Sequence, residues 1–226
     1  MKIGKLLIGA SLAMVLGVSS VRADTATLQI TQPNTAVAPY PGPYANVLIN
    51  RTDSTHATFT FTSLFTPTLY YLMGSTDVAD LNLNASSFTI GTITASNPFP
   101  NFDTPSVSDN GSGNTSGFGD FNLSLKAFDG YPNSASSISF TVTNDSGTWA
   151  DAAHVLVNNS DGWMAAAHIF VTTNPPDGNN GALATGFSAG GGATNITTTP
   201  VPVPSALLSG LGLLGLLAIR RISTSA

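Results

Sequence analysis

Three histidines, His56, His154 and His168, and twelve aspartates carry most of the chemical capacity of this 226-residue chain. It has no cysteine and no glutamate. Thiol catalysis, disulfides and cysteine-ligated zinc are thereby excluded. A Ser/His/Asp triad can be assembled on paper, but no nucleophile elbow is expected to support it. No H-x-x-x-H pair suggests a zinc hydrolase. A glycosidase would need two aspartates as its carboxylate pair, and nothing in the spacing marks one. No catalytic residue is assigned, and a non-enzymatic protein is expected. Calcium is the one cofactor the residues suggest. Asp109-Asn110-Gly111-Ser112-Gly113-Asn114 offers hard oxygen ligands on a Gly-rich stretch, with Asp103 and Asp120 near in sequence. It matches no EF-hand. Trp163 follows a turn at Asp161-Gly162 and is a candidate for stacking on a sugar ring. Trp149 reads as core.

These residues must be held by strands. Thr58-Phe59-Thr60-Phe61-Thr62 alternates cleanly, with both phenylalanines on one face. Similar alternation predicts strands over 25–32, 45–50, 81–84, 88–92, 121–127 and 138–142. Leu69–Met73 and Ala166–Thr173 are apolar throughout and also read as strands, with a last short one near 181–187. Residues 121–127 and 138–142, joined through Asp129-Gly130-Tyr131-Pro132, are expected to pair antiparallel. Residues 96–119 read as a long loop. One helix is expected over 148–157, where Trp149, Ala152, Ala153 and Leu156 recur at helical spacing and Thr148 would cap. The fold class is all-β: a two-sheet β-sandwich, Ig-like or jelly-roll-like, with one short helix. A closed barrel is the alternative.

The ends are different in kind. Lys2 and Lys5 precede an apolar run from Leu6 to Val18, and Val21-Arg22-Ala23 supplies small side chains for cleavage. Residues 1–23 therefore read as a secretory signal peptide, cut between Ala23 and Asp24. At the other end, Pro202-Val203-Pro204 precedes an apolar stretch from Ser205 to Ile219, closed by Arg220 and Arg221. As a helix that stretch spans roughly 22 Å, or about 28 Å counted from Val201, against a hydrocarbon core of about 30 Å. The two arginines would stay cytoplasmic, leaving the bulk of the chain outside. Between the ends, all twelve aspartates face only Arg51 and Lys126, so the body carries a charge near −10, against −5 for the whole chain. Such a field repels phosphate backbones and excludes nucleic acid as a partner.

Pro-x-Pro, a Leu/Gly-rich span and a terminal Arg pair resemble the PEP-CTERM sorting signal of exported Gram-negative proteins. Val203 stands where that motif usually carries glutamate. The resemblance covers residues 201–221. It implies an inner-membrane-anchored precursor, signal peptidase and an exosortase-type enzyme as processing partners, and delivery to the cell surface or the exopolysaccharide matrix. A eukaryotic glycolipid-anchor signal is the nearest rival, but its tail normally ends apolar. The expected organisation is a signal peptide (1–23), an all-β extracytoplasmic domain (24–188), a flexible linker (189–200) and a sorting signal with a transmembrane segment (201–226). The expected function is a structural or adhesive one at the surface. The alternatives are a carbohydrate-binding module for matrix polysaccharide, with or without calcium, and a secreted hydrolase.

Overall fold

The computed structural model describes residues 23–128, 130–191 and 196–200. The expected signal peptide, apart from Ala23, and the expected sorting signal with its membrane span lie outside the described residues. Among those described, no helix is long and apolar enough to cross a membrane.

Fourteen strands form two antiparallel sheets. The first contains β1 (Asp24–Ile30), β3 (Ala45–Arg51), β4 (His56–Ser63), β7 (Phe88–Ile90), β8 (Thr94–Ser96), β11 (Ser137–Asn144) and β14 (Ile196–Pro200). Their order is β14-β1-β3-β4-β11-β7, with β8 also on β11. The second contains β2 (Gln32–Pro33), β5 (Leu69–Met73), β6 (Asp77–Leu81), β9 (Val107–Thr115), β10 (Gly119–Ala127), β12 (Ala165–Thr173) and β13 (Ala184–Gly190). Here the order is β2-β13-β12-β6-β10-β9, with β5 also on β12. This is an all-β sandwich.

Alternation selects the buried face of the first sheet. Leu28, Val47, Phe61 and Ile138 lie in one cross-strand row, and Ala26, Ile49, Phe59 and Phe140 in the next. All eight are buried in the main core. The rings of Phe59 and Phe61 stack on Phe140 with centroids 5.4 and 6.4 Å away. From the second sheet, Tyr71, Met73, Leu81, Leu123, Leu125, Ile169 and Val171 close the same core.

The second sheet is covered on its outer face as well. Phe118 and Phe121 pack on Ala166 and Ala189, with Trp163 and Phe187 against them. Leu72, Tyr131 and Phe170 form another cluster, joined by Tyr70, Phe99 and Phe102. Two-sided burial is why β5 and β12 read as continuous apolar runs rather than as alternating ones.

Four expectations need correction. First, β10 and β11 do not pair. β10 lies between β6 and β9, and β11 lies in the other sheet against β4, β7 and β8. The connection between them crosses from one layer to the other and buries Tyr131 on the way. Alternation fixes which face of each strand is buried; it does not distinguish side-by-side strands from facing ones. Second, the loop expected over 96–119 contains β9, which forms a hairpin with β10. Most side chains of β9 are exposed, so it carries no apolar signal, and its stability comes from the backbone ladder. Third, the helix over 148–157 is a single 3-10 turn at Ala152–His154, capped by Asp151 rather than Thr148. The amides of Trp149, Ala152 and Val157 bond instead to Ser54 O, Asp24 Oδ2 and Asn82 O. Ten residues give a weak isolated helix, and tertiary partners outcompete it. Fourth, the linker expected at 189–200 is largely sheet. Ala189 and Gly190 finish β13, and β14 pairs along β1 from Asp24↔Pro200 to Leu28↔Ile196.

Asp24, the first residue of β1, ties this end of the sandwich together. Its Oδ1 accepts from Arg51 Nε at 2.7 Å and its Oδ2 from Ala152 N at 2.8 Å. Arg51 is 5% exposed. Such a pair is strongly missed when only one partner is removed, because a buried charge is left uncompensated.

Phe140→Ala removes the ring on which both Phe59 and Phe61 stack. It should destabilise the fold by about 3–5 kcal/mol, read as a lowered denaturant midpoint at an unchanged slope.

Candidate functional site

The structure gives each histidine a local partner. His56 Nδ1 lies 2.9 Å from Asp53 Oδ2 in the β3–β4 turn. Asp53 is held down at about 2, chiefly by the Thr55 backbone N–H it accepts; desolvation works against this, and the His56 ring, the Thr55 hydroxyl and the His56 amide add to it. His154 Nδ1 lies 2.7 Å from Asp151 Oδ1 in the 3-10 turn. Both pairs are formed within four residues and read as turn locks. His168 on β12 stacks on Phe187, with centroids 4.5 Å apart, and its Nε2 is 2.8 Å from Thr185 Oγ1. Among the described residues, no three His or Asp side chains are grouped to hold a metal ion.

The pentapeptide Gly186-Phe187-Ser188-Ala189-Gly190 does fit the G-x-S-x-G pattern, against the expectation that the chain holds no nucleophile elbow. Its setting is different. An elbow needs a sharp strand-to-helix turn that exposes the serine. Here all five residues belong to β13, paired with β12, and Ser188 is fully buried with its Oγ donating to Gln32 O at 2.9 Å.

The stretch singled out for calcium lies in β9. Asp109 Oδ1 accepts from Gly111 N at 2.8 Å, and Asn114 Nδ2 donates to Asp120 Oδ1 at 2.7 Å across the hairpin. The oxygens are thus used to shape a bulged edge strand rather than gathered by a loop. Trp163 is half-buried, edge-on to Phe118 at 5.4 Å, within the cluster that covers the outer face of the second sheet. Trp149 is buried and donates from Nε1 to Asn84 O at 2.9 Å. The expected sorting residues, Pro202, Val203, Pro204, Arg220 and Arg221, lie outside the described residues. Of the expected signal-peptide cut, Ala23 immediately precedes β1 and Asp24 begins it.

Two features were not visible in the sequence. One is Asp80, fully buried on β6. Its Oδ2 accepts from Thr115 Oγ1 at 2.6 Å. Burial pushes its carboxyl up to about 7; the Ser124 and Thr115 hydroxyls work against this shift and nearby Asp77 adds to it. Among the described residues no charged side chain of opposite sign bonds to it, so burial favours its protonated form.

The other is a groove of about 470 Å³ at one end of the sandwich. It lies where the segment after β6 crosses to the first sheet and meets the residues that follow β11. Its walls carry Asn82, Asn84, Asn122, Asn144, Ser146 and Thr148. No ionisable side chain and no aromatic ring lines it. The volume falls in the range of ligand sites, roughly 300–1,000 Å³, although the lining is far more polar than usual.

Asp80 makes stability pH-dependent with a definite sign. Its folded value lies above its unfolded one, so the folded state holds an extra proton between them. Stability is greatest below about pH 4 for this group and is lost as the pH rises toward about 7. Asp80→Asn should flatten that slope and stabilise the fold at pH 8 by on the order of a few kcal/mol relative to the parent, read as a raised denaturant midpoint. A parent and variant with parallel pH profiles would count against the assignment.

No protein-family model, no curated protein and no solved structure matches this chain.

Proposed function

We propose that this chain is an exported bacterial surface or matrix protein with a structural or adhesive, non-enzymatic role. The observation that carries the reading is the pairing of its two ends. A signal-peptide pattern stops at Ala23, and Pro202-Val203-Pro204, an apolar span and Arg220-Arg221 close the chain. The positions of the sheet fit that reading. β1 begins at Asp24, the residue after the expected cut, and β14 ends at Pro200, two residues before the Pro-x-Pro motif. β1 and β14 lie side by side, with Asp24 opposite Pro200. Asp24 and Pro200, the described residues next to the two proposed processing points, therefore share one corner of the sandwich. Signal peptidase acts at one and an exosortase-type enzyme at the other, from a precursor held in the inner membrane by residues 205–219.

The body suits life outside the cell without disulfides. Its stability rests on packed inner faces and on backbone-directed side-chain hydrogen bonds. The charge near −10 keeps copies apart and soluble.

The intact mass of protein released from the cell surface should correspond to a chain beginning at Asp24 and ending near residues 201–205. Replacing Arg220 and Arg221 by alanine should hold the protein in the membrane fraction. A released chain retaining its tail, or a double variant sorted like the parent, would overturn the reading.

A further inference from the structure

Three of the side chains that line the groove at the end of the sandwich, Asn82, Asn84 and Asn144, are half spent. Asn82 Nδ2 donates to Val157 O at 3.1 Å and Asn84 Nδ2 to His154 O at 3.0 Å. Asn144 Oδ1 accepts from Ser146 N at 3.0 Å. Each amide is thereby fixed in orientation, and its other end makes no hydrogen bond within the protein. Two acceptors, Asn82 Oδ1 and Asn84 Oδ1, and one donor group, Asn144 Nδ2, are left over. The Thr148 hydroxyl adds a group that can both donate and accept. The walls are stiff. Asn122 grips Leu83 through both backbone groups, at 2.8 and 2.9 Å, and Ser146 Oγ accepts from Ser86 N and Ser87 N at 3.1 and 3.2 Å. A site whose polar groups are already oriented loses little entropy when it is occupied.

The lining also selects the class of ligand. An anionic group finds no cation there, and the body around it is strongly acidic. A cationic group finds no carboxylate in the walls. A greasy ligand would bury amides without partners, which is unfavourable. What remains is a neutral molecule that carries donors and acceptors together. Val157, 43% exposed on the wall, offers a small apolar contact for C–H groups.

We propose that this groove binds a short segment of an uncharged, hydroxyl-rich polysaccharide, read by the unspent amide ends of Asn82, Asn84 and Asn144. The site is distinct from Trp163. It deepens the surface or matrix reading by naming what the body would hold, but its chemistry does not depend on how the chain is exported.

Gly147 supplies the test. It lines the groove, and a Cβ built on it meets no atom within 4 Å. Gly147→Trp should therefore fill the groove without disturbing the core. Thr148→Phe, at an exposed neighbouring position, serves if the first variant unfolds at a lower temperature than the parent. The full-length chain, held in a detergent without sugar head groups, would be titrated calorimetrically with neutral gluco-, manno- and galacto-oligosaccharides and with alginate oligomers of equal length. Binding of at least one neutral series, weaker by about tenfold or more in the plugged variant and unchanged in Trp163→Ala, is expected. Failure of all the neutral series, alginate bound as tightly as they are, or a folded plugged variant that binds like the parent would each overturn the proposal. None of these outcomes touches the sorting assay, which reads only the two ends.

Discussion

The constraint on which this molecule depends is that two antiparallel sheets must cover each other's apolar faces without any covalent help. The chain has no disulfide to limit its unfolded state. A continuous row such as Ala26–Ile49–Phe59–Phe140 therefore has to be complete across four strands. A one-residue slip in any strand would turn its whole apolar set to solvent, so the pairing register is strongly specified. The outer face of the second sheet adds a further requirement. Its aromatic clusters join strand residues such as Phe121, Phe170 and Phe187 to residues of the connections, and so hold the long segments around Phe102, Phe118 and Tyr131 against the body.

Short polar side chains take over tasks that longer charged ones perform in other proteins. With no glutamate and only two cationic residues in the body, ion pairs are scarce. Instead, Asp53 gathers the amides of Thr55 and His56, Asn159 reaches Phe118 O and Asp120 O, and Asn122 clamps Leu83. Each uses a short side chain to mimic or replace a backbone partner. The one buried ion pair, Arg51 with Asp24, sits where the chain enters the fold and is joined there by the 3-10 turn. Asp80 is the exception, a buried acid that is accommodated by remaining protonated.

The same economy accounts for the groove. Asn122 spends both ends of its amide on Leu83, whereas Asn82 and Asn84 use one end each to fasten the crossing segment and keep the other for the groove. A polar recognition surface thus follows from the way the fold is fastened. It requires neither strain nor an ionised residue. Placing β14 beside β1 also brings the two exits of the chain to one edge.

Composition and alternation determined the class of this protein. Period-two patterns at Ala45–Ile49, Phe59–Phe61, Leu123–Leu125 and Ile138–Val142 named inner-face residues that are buried in the fold, because a half-buried strand must write its pleat into its sequence. The terminal patterns, Lys2 to Ala23 and Pro202 to Arg221, are also local in sequence, and the proposed export rests on them. What only the tertiary structure decided was partnership. The strands β10 and β11 share a pattern yet lie in opposite sheets, and β9 is a strand without an apolar signal because the backbone of β10 supplies its bonds. Residues 148–157 have helical spacing, but Ser54, Asp24 and Asn82 claim their backbone donors. The candidate groove was least visible of all. Asn82, Asn84 and Asn122 appear in the sequence only as the polar partners of alternating leucines. Their convergence with Asn144, some sixty residues beyond Asn82, exists only once the chain has crossed between its sheets.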